Sequence, residues 1–307
     1  MKSSPIICVI GSINMDLVFR TPRMPAAGET ISGHAFVQIA GGKGANQAVA
    51  AARQGAHTTL IACVGDDAYG LQSLAGLQQD GIDTSAIATI ENCATGVAGI
   101  FVDDQGRNSI VIAAGANARL TPAHIQIAAI QSAQLLICQC ETPLATIQAA
   151  MQIANQHGVK VVFNPAPAIP LPDSIFALVS YLVVNETEAG QLSGVPVTDI
   201  NSARLAAQHL LDRGAQCVLL TLGEQGVCIS SGSQFHHIPA IKVSVVDTTA
   251  AGDTFVGAFA AAIGYGLNEL DAAKEAQYSA ALAVTKLGAQ SSIPHRAEVE
   301  KFKSGLH

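Results

Sequence analysis

A chain of 307 residues can bury a substantial core as one large α/β domain or two smaller ones, and 49% apolar against 13% charged residues excludes a disordered protein. The formal charge of −7 opposes non-specific nucleic-acid binding, and 4% aromatics with no Trp argue against stacking platforms for bases or sugars. The seven cysteines contain no CxxC pair and the nine histidines no HxxxH or HxxEH pattern, so buried reduced thiols and a cytoplasmic location are expected rather than a metal centre of that kind.

In chain order, Pro5-Ile6-Ile7-Cys8-Val9-Ile10-Gly11 is too short for a membrane span and lacks a cleavage-site pattern, which predicts a first strand over Ile6–Gly11. Leu17–Phe19 and Ile31–Ile39 read as further strands. A helix is predicted over Ala45–Gln54, a buried strand over Thr58–Val64 and a helix over Ala68–Asp80. Gly96–Asp103 and Asn108–Ala114 form a predicted hairpin around Asp104-Gln105-Gly106-Arg107. The uncharged stretch from Ile125 to Cys140 is interrupted by Gln126, Gln131, Ser132, Gln134 and Gln139, so no membrane partner is expected. Strands Leu135–Cys138, Val159–Phe163, Tyr181–Val184 and Cys217–Leu222 then alternate with helices Pro143–His157, Glu186–Ser193 and Ser202–Arg213. Gly55, Gly81, Gly158, Gly194 and Gly214 stand just after the predicted helices, where C-cap glycines belong.

Continuous apolar strands alternating with helices predict a mostly parallel sheet covered on both faces. The antiparallel pieces at about 17–40 and 96–114 have no helices to cover them. They predict a small subsidiary sheet, an outgrowth of a single domain spanning 1–307. Such a sheet suits a lid over the strand ends, where open α/β folds bind ligands, and equally a homodimer contact.

The segment with most chemical content is Asp247-Thr248-Thr249-Ala250-Ala251-Gly252-Asp253-Thr254-Phe255, which leads into an apolar run read as a buried helix. A helix start offers unpaired N–H groups and the positive end of a dipole, an anion site. A carboxylate beside a bound anion suits a group that meets a hydroxyl as it attacks a phosphoryl centre. The alternative is an ordinary capped helix, an arrangement worth about 1 kcal/mol. Asn14 and Asp16 point the same way from an extended backbone and can reach one polyol, although a turn-forming pair reads identically. Gly41-Gly42-Lys43-Gly44-Ala45-Asn46-Gln47 opens a helix with Lys43 and Asn46 on its first turn, and matches neither a Walker A loop nor GxGxxG. Glu141 stands at a strand end, with a capping role beside Thr142 as the alternative. Asn185 caps the next helix or binds a ligand, and Glu188 shares its face, a geometry suited to organising a hydrated Mg²⁺ near phosphates. Thr221-Leu222-Gly223-Glu224-Gln225-Gly226 ends a strand in a glycine turn that serves phosphate or ribose contacts, or simply a hairpin.

In this order, these segments resemble the ribokinase family of carbohydrate kinases over essentially the whole chain, from Ile6 to about Pro294; the glycine–lysine and Asp253 segments match that family's two signatures. The resemblance implies a three-layer αβα sandwich with a mostly parallel central sheet and a small antiparallel β-sheet lid. It implies ATP-dependent transfer of the γ-phosphate to the 5-hydroxyl of D-ribose. Deoxyribose, another pentose or hexose, or a nucleoside are alternative acceptors, and a non-catalytic sugar-binding regulator is the alternative from another class. Carried over by residue, Asn14, Asp16, Gly42, Lys43, Asn46 and Glu141 hold the sugar. Asp253 is the base, with Ala250, Ala251 and Gly252 shaping the anion hole. Asn185, Thr221, Leu222, Gly223, Glu224, Gln225 and Gly226 line the ATP site with Gly252 and Gln277, and Glu188 lies near Mg²⁺ through water. A K⁺ activator is implied at Asp247, Thr249, Ala283, Lys286, Gly288 and Ser292, several through backbone carbonyls.

Overall fold

Short apolar strands and Ala-rich helices alternate along the computed structural model, which describes residues 3–305; the ends of the 1–307 span, 1–2 and 306–307, lie outside the described residues. The first half runs β1 (Ile6–Ile10), β2 (Asn14–Thr21), β3 (Ala35–Gly41), α1 (Lys43–Arg53), β4 (His57–Gly65), α2 (Ala68–Gln79), β5 (Ile87–Ile90), β6 (Gly96–Asp103), β7 (Asn108–Ala113), α3 (Ile127–Ser132) and β8 (Leu135–Cys138). The second half runs α4 (Leu144–Gln156), β9 (Lys160–Phe163), α5 (Asp173–Phe176), β10 (Tyr181–Asn185), α6 (Glu186–Ser193), α7 (Ile200–Asp212), β11 (Cys217–Thr221), β12 (Val227–Ser231), β13 (Gln234–Ile238), α8 (Ala251–Gly264), α9 (Glu269–Ala283) and α10 (Arg296–Ser304).

Nine strands form one sheet in the order β13-β12-β11-β10-β9-β8-β1-β4-β5. Its pairs are parallel from β11 to β5, and the β11–β12 and β12–β13 pairs at one edge are antiparallel. Alternate residues of a strand point to opposite faces, so Cys8 and Ile10 of β1 enter one apolar cluster and Ile7 and Val9 the other. Helices α3 to α7 close the first face, and α1, α2, α8 and α9 close the second. This is the three-layer αβα sandwich that the alternating pattern predicts. Gly55, Gly81, Gly158, Gly194 and Gly214 all have positive φ, the left-handed conformation that turns the chain out of a helix.

Strands β3-β2-β6-β7 form the small sheet. Its outer pairs are antiparallel, but its central pair, β2 with β6, is parallel, which corrects the expected wholly antiparallel lid. The cause is connectivity. Strand β2 follows β1 and β6 follows β5, and β1, β4 and β5 are mutually parallel, so both lid strands leave the large sheet in the same direction. Residues 31–34, predicted as strand, precede β3 and are irregular. The β12–β13 hairpin and the four-residue β5 have no counterpart in the sequence prediction.

Two glycines set how closely α1 packs against α8 and the end of β1. A Cβ on Gly257 of α8 would lie 2.5 Å from the Ala50 Cβ and the Gln47 carbonyl and 2.8 Å from the Ala51 nitrogen, all on α1. A Cβ on Gly44 of α1 would lie 2.5 Å from the Ser12 nitrogen and 2.6 Å from the Gly11 carbonyl carbon, just beyond β1. Helix α1 is therefore packed against both neighbours with backbone in contact. Gly257→Ala gains the helix propensity of alanine, about 1 kcal/mol, yet must overpack this crossing. We expect a net loss of about 1–3 kcal/mol, read as a lower urea midpoint at unchanged m-value. A midpoint equal to or above that of the parent would mean that the two helices separate without cost.

Candidate active site

The carboxyl ends of β1, β8, β9, β10 and β11 deliver their following residues to one rim of the large sheet, where open α/β folds bind ligands. A cavity of about 210 Å³ opens there, lined by Lys43, Asn164, Ala166, Val183, Val184, Asn185, Glu188, Thr221, Thr248, Ala250, Gly252, Asp253 and Val256. A larger recess of about 410 Å³ at Ile169, Leu171, Leu192 and Arg213 contains none of the residues singled out by sequence.

Asp253 sits on the first turn of α8 and is 7% exposed. Its Oδ2 accepts from Asn46 Nδ2 and its Oδ1 from Gln47 Nε2, both at 2.9 Å. Ala250 takes the left-handed conformation, φ 60°, at the N-cap, and its carbonyl accepts from the Thr254 N–H and hydroxyl. The Ala251 N–H donates to the Thr248 carbonyl at 3.2 Å. Among the described residues no backbone carbonyl accepts from Gly252 or Asp253, so two N–H groups of the first turn stay open. A Cβ on Gly252 would meet no atom within 4 Å, so that side of the turn faces free space.

Lys43, at the start of α1, collects opposite charge. Burial by itself would lower its ammonium, but the carboxylates of Asp253, Glu141, Glu188 and Asp16 outweigh it and hold the group above the ordinary lysine range. Asp16 responds in kind: burial, then Glu141 and Asp253, push its carboxyl up to about 6 against the pull of Lys43. Asn14 and Asp16 are alternate residues of β2, opposite Gly41 and Ile39 of β3, and so share a face. The Asn14 Oδ1 accepts from Asn117 Nδ2 at 2.8 Å, and Asn117 also bonds both backbone polar groups of Ile13. Glu141 does not cap a helix with Thr142. Its Oε2 accepts from the Lys43 N–H at 3.0 Å and the Ser12 hydroxyl at 2.5 Å, which closes the N-terminus of α1 that Gly42 leaves without a side-chain cap.

On the opposite side, Asn185 and Glu188 form a capping box at α6: Asn185 Oδ1 accepts from the Glu188 N–H at 2.8 Å and Glu188 Oε2 from the Asn185 N–H at 3.0 Å. Both still line the cavity. Burial raises the Glu188 carboxyl more than the Asn185 N–H and Lys43 lower it. The glycine turn divides. Thr221 lines the cavity, whereas Leu222, Gly223, Glu224, Gln225 and Gly226 form the hairpin turn between antiparallel β11 and β12, closed by the Leu222 N–H on the Gly226 carbonyl at 2.8 Å. Gln277, on α9, spends its amide on the Pro239 carbonyl at 3.0 Å and lies outside the cavity lining.

Of the six residues of the implied K⁺ set, Asp247, Thr249 and Gly288 are joined by hydrogen bonds. Asp247 Oδ1 accepts from the Thr249 N–H and hydroxyl, and its Oδ2 from the Gly288 N–H at 2.9 Å. Burial raises this carboxyl, but those hydrogen bonds outweigh it and hold it below the usual range. The Ala283 carbonyl accepts from the Lys286 N–H, the Lys286 ammonium pairs with Glu298 at 2.7 Å, and the Ser292 hydroxyl donates to the Ala289 carbonyl. Among the described residues no group of three or more His, Cys, Asp or Glu side chains is placed to hold a metal ion.

The sequence reading missed Gln47, Asn164, Gln139, Ser12 and Asn117. A signal for Gln47 was present: Lys43, Asn46 and Gln47 stand at i, i+3 and i+4, one face of a helix.

Residues 5–296 match the profile of the pfkB family carbohydrate kinases. The chain is 45% identical over 298 residues to a ribokinase of Haemophilus influenzae, covering 96% of this chain and 97% of that protein. It is 39% identical to a deoxyribokinase of Salmonella typhi, covering 98% of each. The solved structure of Arabidopsis thaliana ribokinase complexed with ribose and ATP superposes with a TM-score of 0.93 at 30% identity, over 98% of this chain and 99% of that one. Fold, signature segments and full-length identity agree, and the chain belongs to the pfkB family of carbohydrate kinases.

Proposed function

We propose that this chain transfers the γ-phosphoryl group of ATP to the 5-hydroxyl of D-ribose. The observation that carries the reading is the Asp253 carboxylate, held by two amides on the first turn of a helix whose Gly252 and Asp253 N–H groups have no backbone acceptor among the described residues. Asn14, Asp16, Gly42, Lys43, Asn46 and Glu141 bind the sugar and bring the 5-hydroxyl to Asp253. The open N–H groups beside Ala250, Ala251 and Gly252 take the charge that grows on the transferred group, and Asp253 receives the hydroxyl proton. Phosphoryl transfer needs alignment and charge neutralisation more than a strong base, and this arrangement supplies both. Thr221 and Asn185 face the nucleotide side of the same cavity. 2-Deoxy-D-ribose is the second reading for the acceptor, favoured by the 39% identity to a deoxyribokinase.

Four carboxylates surround one lysine, so polyphosphate must arrive with positive charge of its own. Glu188 faces the cavity and fits a hydrated Mg²⁺, and as no three acidic or histidine side chains among the described residues cage an ion, it would come with the nucleotide. Mg²⁺ supplies charge neutralisation on the phosphates. For K⁺ the donors are oxygens, which suits a hard cation: the Asp247 carboxylate and Thr249, with Ala283, Lys286, Gly288 and Ser292, several of them through backbone carbonyls. A cation there supplies positive charge behind the first turn of α8. The lid carries exposed Phe36, Ile110, Val111 and Ile112, which supports a homodimer formed through that sheet, and the seven free thiols support a reducing, cytoplasmic location.

A coupled ADP-release assay over a sugar panel tests the acceptor, with D-ribose expected to be fastest and 2-deoxy-D-ribose next. Asp253→Asn is expected to bind sugar and ATP while losing on the order of 10³-fold or more in kcat. Near-normal turnover by that variant would sink the assignment. K⁺ is expected to raise kcat well above its value in Na⁺, and equal rates in the two salts would remove the cation site. Asp16 sets a pH dependence. Its carboxyl titrates near 6 in the folded chain against an ordinary 3.8, so its protonated form contributes stability that is fully present below 3.8 and lost as pH rises through 6. Asp16→Asn is therefore expected to raise Tm at pH 7.5 and leave it nearly unchanged at pH 4, while the KM for sugar rises and no longer climbs as pH falls through 6. Parallel Tm curves for the two proteins would refute this account.

A further inference from the structure

We propose that Gln47 is the positioning residue that sets the attitude of the Asp253 carboxylate, with Gln139 and Asn164 holding Gln47 for that task; the proposal rests on the reading of Asp253 as the base. Gln47 is fully buried on α1. Its Nε2 donates to Asp253 Oδ1 at 2.9 Å and to Asn164 Oδ1 at 3.1 Å, and its Oε1 accepts from Gln139 Nε2 at 2.7 Å. The direction of these bonds is imposed from outside the group. Asn164 Nδ2 donates to the Val183 carbonyl at 2.9 Å, and a carbonyl can only accept. That acceptor turns Asn164 Oδ1 toward Gln47, which must then present its NH₂. A reversed Gln47 amide would set its oxygen against two acceptors, Asn164 Oδ1 and Asp253 Oδ1, and its nitrogen against the Gln139 donor. A chain of buried side chains anchored on the backbone of β10 thus fixes which end of Gln47 meets the carboxylate.

Asn46 supplies the matching donor to Oδ2 at 2.9 Å. With one amide N–H on each oxygen, the plane of the carboxylate is set, and a proton arriving from substrate must land on a lone pair turned away from both amides. In the transfer the hydroxyl O–H bond breaks and its proton passes to Asp253. The hydroxyl oxygen bonds to phosphorus, and the bridging P–O bond breaks with its electron pair leaving on ADP. Gln47 gives up no proton. It acts only by holding the acceptor, which separates it from Lys43, a cavity-lining residue one turn earlier on the same helix.

Steady-state kinetics of full-length Gln47→Met with D-ribose and ATP test this. We expect kcat to fall about 10- to 100-fold, with KM for both substrates within about threefold of the parent. A kcat within about threefold of the parent overturns the proposal, as does a loss carried mainly by KM. The double variant Gln47→Met/Asp253→Asn is expected to be no slower than Asp253→Asn alone, because Gln47 acts through that carboxylate. Losses that multiply overturn it. If Gln47→Met does not fold, Gln139→Met carries the test, with kcat expected about three- to tenfold lower at unchanged KM and an unchanged kcat overturning the proposal. The two readings fail separately. A fully active Asp253→Asn removes the base, whereas an inactive Asp253→Asn beside a fully active Gln47→Met removes only the positioning role.

Discussion

Helices α1 and α8 touch backbone to backbone, and the active site hangs on that contact. Gly257 meets Ala50 and the Gln47 carbonyl at a spacing no side chain would permit. One turn earlier on α8 is Asp253, and on α1 the facing residues are Asn46 and Gln47, so a crossing this close lets short amides reach a short carboxylate. Gly44 repeats the device against the end of β1 and seats the start of α1 on the strand end that leads into Asn14 and Asp16. The geometry of the chemistry is therefore set by main-chain packing, the stiffest kind of contact a core offers. Side chains complete the site but do not space it.

The same crossing sets the charge. Lys43 opens α1 among Asp16, Glu141, Glu188 and Asp253, which arrive from β2, the loop after β8, α6 and α8. One ammonium cannot neutralise four carboxylates, and Asp16, pushed up first by its burial and then by Glu141 and Asp253, binds its proton more tightly. Glu141 is partly committed already, because it closes the N-terminus of α1 where Gly42 offers no side chain. A site so arranged is poised for ligands that bring hydroxyl donors and cations together, which is the chemistry of a sugar and a metal-bound polyphosphate.

Much of this was legible in sequence, for reasons that differ by element. The parallel sheet was legible because strands buried on two faces read as unbroken apolar runs, and the glycines that end the helices marked the boundaries. The β12–β13 hairpin was not, since Gln234–Ile238 carries two histidines and resembles a loop. The parallel β2–β6 pair was not legible either, because it follows from where β1 and β5 sit in the large sheet and not from anything in β2 or β6. Asp253, Lys43 and Asn46 declared themselves through their first-turn positions. Gln47 lay in the same motif, but its partner is 206 residues away and only the helix crossing brings the two together. The Thr221–Gly226 segment was ambiguous because a phosphate loop and a hairpin turn need the same glycines; it forms the turn between antiparallel β11 and β12, and its first residue, Thr221, lines the cavity.

Helices α2, α6, α7 and α9 each begin on a residue whose own side chain accepts from the first turn. Helix α8 does not. It begins on Ala250, which has no side-chain oxygen to offer and sits in a conformation an alanine seldom takes. An absent cap usually costs about 1 kcal/mol, and here the vacancy coincides with the place where an anion would dock. An anion bound there would stand in for the cap, so its binding would also stabilise the first turn of α8.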